Sequence, residues 1–155
     1  MSIYQFLQNP DSTTKLFKQI SANYDLEVLE QGQVNDGFQR IVTIALDGTP
    51  VMVGLSYAAC PNFVGILQGA KVTPIGTRLF APDSGIIRSK MSISKTLIQH
   101  IPNFTITNYL NQLGIEKQTS LYYRLSEFRL KSEQMTLTEY VLPGLAQLLS
   151  ANNSR

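Results

Sequence analysis

Apolar and polar residues alternate along much of the chain, and six stretches read as strands: 27–34, 38–46, 51–57, 85–92, 121–130 and 135–142. Two links between them mark hairpins. Asp47-Gly48-Thr49-Pro50 carries the Asp-Gly turn signal, and Lys131-Ser132-Glu133-Gln134 is a short polar connection between alternating runs. Strands joined this tightly run antiparallel. Helical spacing appears first after Ser12 or Thr13, either of which can cap a stripe of Leu16, Phe17 and Ile20 that ends near Asn23. Pro61 and Pro74 read as first-turn prolines, the second behind a Thr73 cap, and Phe63, Ile66 and Leu67 should face inward. The stretch 95–118 reads as one or two short helices, broken at Pro102 and ended at Gly114. Helices gathered around an antiparallel sheet predict an α+β domain. The length of 155 residues suits a single domain over 1–155.

Two charges break the apolar faces. In 135–143, Met135, Leu137, Glu139 and Val141 share one side of the strand, so Glu139 lies on the side that should be buried. In 38–46 the even positions are Phe38, Arg40, Val42, Ile44 and Leu46, which turns Arg40 inward as well. A buried charge costs several kcal/mol unless it is paired. One account has the two neutralise each other, or has Glu139 pair with Arg124 or Arg129 on the neighbouring strand. The other is a closed pocket in which the arginine awaits a ligand carboxylate, whose geometry the guanidinium fork matches with two parallel hydrogen bonds.

Composition narrows the chemistry. Hydrophobic residues make up 43% and charged residues 15%, values of a folded rather than a disordered chain. Thirteen basic and eleven acidic residues are scattered without a run, so the net charge of +2 gives no footprint for nucleic acid or an anionic membrane surface. No apolar run is long enough for a membrane span, and the first residues lack the pattern of a signal peptide, so a cytosolic protein is expected. A single histidine, His100, and a single cysteine, Cys60, leave no zinc cluster and few options for a nucleophile–base pair. His100 reads as a helix-surface residue and Cys60 as a small packed side chain. Neither standard glycine-rich phosphate loop is present, and no cofactor is expected.

Read in order, these pieces resemble the chorismate lyase family, from about Asp25 to Leu142. They are Arg40 leading into Asp47-Gly48-Thr49-Pro50, then Thr73-Pro74-Ile75-Gly76-Thr77-Arg78-Leu79-Phe80, then Arg88, Tyr123-Arg124-Leu125, and Leu137-Thr138-Glu139-Tyr140-Val141-Leu142-Pro143. The resemblance implies a six-stranded antiparallel sheet that encloses an internal site beneath helical flaps. It also implies a cofactor-free elimination that splits chorismate into 4-hydroxybenzoate and pyruvate, at the head of ubiquinone or plastoquinone synthesis. Carried over by position, Arg40 and Glu139 would be catalytic. Arg40 would grip the ring carboxylate with help from the backbone N–H of Ile75, and Glu139 would meet the 4-hydroxyl. Gly76, Arg78 and Arg88 would complete the substrate-binding set. The chain departs from the family at Gly54-Leu55, where better-known members carry an arginine, and at Thr77, which intervenes before Arg78. Arg78 or Arg88 are the candidates to replace the missing cation.

The elimination makes the ring aromatic, so an enzyme need supply position more than driving force. A monomer acting on the small molecule alone, with neither nucleic acid nor membrane as partner, is the expected form. The alternative is a non-catalytic module that binds small acids, because effector domains of some transcription regulators share this fold. Such domains follow a helix-turn-helix, for which the stretch before Asp25 is too short, and that expectation favours the enzyme.

Overall fold

The computed structural model describes residues 1–153. Six strands form one antiparallel sheet: β1 (Tyr24–Val34), β2 (Gly37–Leu46), β3 (Thr49–Ala58), β4 (Ile87–Leu97), β5 (Ser120–Leu130) and β6 (Glu133–Val141), in the spatial order β1-β2-β3-β6-β5-β4. Both expected hairpins are present as two-residue turns. Asp47 and Gly48 take φ of +51° and +77°, and Lys131 takes φ of +55°, the left-handed values that let a tight turn match the strand twist.

The six helices are α1 (Ile3–Gln8), α2 (Thr13–Ile20), α3 (Pro61–Ala70), α4 (Gly76–Leu79), α5 (Phe104–Gln112) and α6 (Pro143–Asn153). Ser12 caps α2 by accepting from the Lys15 N–H at 3.2 Å. α6 starts tight against β3, where a Cβ on Gly144 would lie 2.5 Å from the Pro50 carbonyl. Only glycine permits that approach.

Several expected elements differ. α1 and α6 are additional helices. β4 continues to Leu97, so the first residues of 95–118 are strand, followed by a single 3-10 turn at Ile98–His100 and then α5. Ile93, Lys95 and Leu97 alternate with small polar residues, a pattern that suits an edge strand. The Thr73 cap does not form: its hydroxyl bonds back to the Ala70 carbonyl, and α4 begins only at Gly76, beyond Pro74. His100 is exposed, and Cys60 is half-buried just before Pro61.

The sheet buries both faces. On one, α5 and the 3-10 turn cover Ile41, Val53, Leu121 and Tyr140 through Ile98, Ile106 and Leu110. On the other, two separate clusters form. α1, α2 and α6 pack Phe6, Phe17 and Leu145 over Ile44, Leu46 and Met52, whereas α3 and α4 pack Phe63, Leu67 and Leu79 over Phe38, Phe128 and Leu137. Between them the sheet carries Arg40, Ser56, Arg124 and Glu139 among apolar neighbours such as Val42. The α5 cover depends on its cap, in which Asn103 accepts from the Ile106 N–H at 3.0 Å. Asn103→Ala is expected to lower the unfolding free energy by about 1 kcal/mol, read from a urea titration.

Candidate functional site

The gap between the two clusters is a cavity. Its floor follows from strand register: Val42 pairs with Gly54, Gly54 with Glu139, and Glu139 with Arg124, while Arg40 pairs with Ser56 one step along. All six line the cavity, together with Ser12, Thr13, Thr14 and Tyr24 on one side and Ile75, Gly76, Phe80 and Arg88 on the other. It holds about 40 Å³ for the centre of a water-sized sphere. One water needs roughly 10–15 Å³ by the same measure, so the space suits a small organic molecule. Gly54 keeps the floor open. Filling it, as in Gly54→Leu, is expected to abolish the thermal stabilisation given by a bound small acid while leaving the far-UV circular dichroism unchanged.

Arg40 is 1% exposed and makes no ion pair among the described residues. Its Nη2 donates to the carbonyls of Lys71 and Thr73 at 3.0 and 2.7 Å, and its Nε is buried without a partner. The reversal of the chain after α3, with Lys71 at φ +50°, accompanies the presentation of these carbonyls. Burial pulls the Arg40 guanidinium below its usual range, and Tyr24 opposes this. An arginine nevertheless stays cationic at neutral pH. Burial also raises the Tyr24 phenol, so that group stays neutral.

Glu139, 3% exposed, is fully engaged. Arg124 Nε donates to its Oε1 at 3.0 Å and Thr13 Oγ1 to its Oε2 at 2.8 Å. Arg124, 0% exposed, also donates through Nη1 to the carbonyls of Leu7 and Asn9 at 3.0 and 2.9 Å. Its Nη2 has no partner. Arg129 pairs instead with Glu127, at 3.0 Å on the outside. Of the open accounts of the inward acid, its partner is thus Arg124, and Arg40 is left free of carboxylates.

Arg88 lies beside the edge-on pair of Phe80 and Phe128, its guanidinium carbon 5.1 and 5.2 Å from the two ring centres, and donates to the Pro10 carbonyl at 3.0 Å. Its Nε is buried and unpartnered. Burial lowers its pKa, nearby Arg124 adds to the fall and Glu139 counteracts it.

Of the expected site residues, Arg40, Glu139, Ile75, Gly76 and Arg88 therefore meet at one cavity. Arg78 does not. On the one-turn helix α4 it lies on the outer side, exposed, with Nη2 3.5 Å from the Gly69 carbonyl. Leu55 points to the opposite face and packs with the α5 cluster, so a larger residue there would not reach this floor. Arg124, Thr13 and Tyr24 belong to the site although the sequence reading gave none of them a binding role. For Arg124 the signal was available: a two-residue turn at Lys131-Ser132 sets residue 124 opposite residue 139. Among the described residues no cluster of His, Cys, Asp or Glu is placed to hold a metal ion, and no helix is long and apolar enough to cross a membrane.

No family model and no curated protein matches the chain. Solved structures do. The effector domain of PhnF from Mycobacterium smegmatis aligns with a TM-score of 0.54 at 11% identity, over 78% of this chain and 82% of that one. A structure described as the ligand-binding domain of a GntR-family transcriptional regulator from Bordetella bronchiseptica aligns at 0.53 and 12%, over 79% and 87%. YydK from Bacillus subtilis, described as a possible transcriptional regulator, aligns at 0.54 and 14%, over 77% of this chain but only 57% of its own. At such identities the likeness establishes the fold. The chain shares the α+β fold of these regulator domains, with its six-stranded antiparallel sheet.

Proposed function

We propose that this protein is a cytosolic binding domain for a small organic acid. The observation that carries the reading is a buried arginine, Arg40, that lines a cavity with a bare Nε–H and no carboxylate of its own. Such a donor is costly to bury unmatched, and a ligand carboxylate would match it. The fold supports the same reading, since the ligand-binding and effector domains named above share it. Arg40 donates to two backbone carbonyls, which an arriving anion can replace or join.

A second reading is the chorismate lyase. It is favoured by Arg40, Ile75, Gly76 and Glu139 lining one cavity in the order that the family motif implies. In that reaction Arg40 would hold the ring carboxylate, Arg40 and a second cation near the enolpyruvyl carboxylate would stabilise charge on the leaving group, and Glu139 would orient the 4-hydroxyl or take the C4 proton. The engagement of both Glu139 oxygens, by Arg124 and Thr13, suits an anchor better than a free base.

One pair of measurements separates the readings. The purified protein is titrated with 4-hydroxybenzoate in a thermal-shift assay and incubated with chorismate while 4-hydroxybenzoate is followed by absorbance. Stabilisation without product supports the binder, and product above the uncatalysed rate supports the lyase. If 4-hydroxybenzoate and a panel of other small carboxylic acids all fail to stabilise the protein, the binding reading is rejected.

A further inference from the structure

The cavity has two cationic ends. Arg40 stands on β2, and Arg124 on β5 is three strand spacings away, roughly 14 Å between backbones at about 4.8 Å per step. Arg88 belongs with Arg124: the Nη1 atoms of both reach the same sulfur, Met91 Sδ, at 3.5 and 3.9 Å. At this far end two guanidinium groups face one carboxylate, Glu139, which leaves one positive charge in excess. Arg40 supplies one more at the near end, where no carboxylate pairs with it. Each end also keeps buried N–H groups without acceptors, Nε of Arg40 at one and Nε of Arg88 with Nη2 of Arg124 at the other.

From this we infer that Arg88 and Arg124 form a second anion subsite, and that the ligand is an elongated dianion with one acidic group at each end. The inference rests on the small-acid reading and extends it, for a monoanion held by Arg40 would leave the far charge and its two donors unmatched. The walls between the ends are largely apolar, with Val42, Ile44, Met52 and Leu137 among them, so the two anionic groups are joined by a hydrocarbon or ring segment. A second carboxylate that met no cation would weaken binding through its desolvation cost, which makes the comparison below a stringent one.

The test measures dissociation constants by calorimetry for linear dicarboxylates from succinate to suberate, each against the monocarboxylate of equal chain length. One length is expected to bind about tenfold tighter than its monocarboxylate, the worth of one charged hydrogen bond. Arg88→Gln should erase that advantage, so that the dicarboxylate and the monocarboxylate of that length bind alike, whereas Arg88→Lys, which keeps the charge, should retain part of it. Monocarboxylates that bind as well as every dicarboxylate would overturn the second subsite alone, as would a dicarboxylate advantage that survives in Arg88→Gln. If neither series binds, both this inference and the small-acid reading fall.

Discussion

Arg124→Ala is expected to lower the unfolding free energy by about 3–5 kcal/mol, with a fall in Tm on the order of 10 °C. The pair it breaks is buried on both sides, with side chains 0% and 3% exposed. Its loss strands the Glu139 carboxylate with only the Thr13 hydroxyl, and leaves the carbonyls of Leu7 and Asn9 without their donor. The penalty comes from the partner left behind rather than from any large net gain of the pair itself. For that reason Arg124→Met combined with Glu139→Leu should recover much of the loss. Urea titrations of the two variants decide the matter: equal midpoints for Arg124→Ala and the parent would mean that the pair does not hold the interior together.

Arg40→Met should do the opposite, sparing the fold and removing the ligand. The carbonyls released from Arg40 belong to Lys71 and Thr73, both exposed, so water can take over their hydrogen bonds. Binding of 4-hydroxybenzoate should weaken roughly 10- to 150-fold, the range given by about 1.5–3 kcal/mol for a charged hydrogen bond. If the protein turns over chorismate, the same change should appear mainly in KM, because the grip on the carboxylate is shared by ground and transition states. Undiminished affinity in this variant would remove Arg40 from the site.

These two arginines also show what could be read from the chain alone. Arg40 was legible because strand periodicity puts it in line with Phe38, Val42, Ile44 and Leu46, and Glu139 was legible for the same reason. The sheet and its hairpins at Asp47-Gly48 and Lys131-Ser132 followed from alternation and from turn residues whose left-handed angles the structure carries, whereas the third tight turn, Asn35-Asp36 between β1 and β2, was not anticipated. The acceptors that hold the arginines were invisible. They are backbone carbonyls of Leu7, Asn9, Pro10, Lys71 and Thr73, and a carbonyl has no residue type to betray it. Arg78 misled because the motif around it resembles a family pattern, whereas a helix of four residues leaves its direction to local packing. α6 was missed although Pro143 stands at its start as Pro61 does in α3, with Leu145 and Leu149 four apart on the buried stripe. No element was predicted beyond Leu142, where the apolar strand text ends.

The first residues of a domain are commonly loose and can be trimmed without harm. Here they cannot be, because the guanidinium groups of Arg88 and Arg124 reach from the sheet and hold Leu7, Asn9 and Pro10 by their main chain. The opening segment is a wall fastened from within. Clipping it would lay bare Phe17 and Ile44 and leave two internal cations groping for acceptors, so a protease nick before Ser12 should behave like core damage rather than like the loss of a tail.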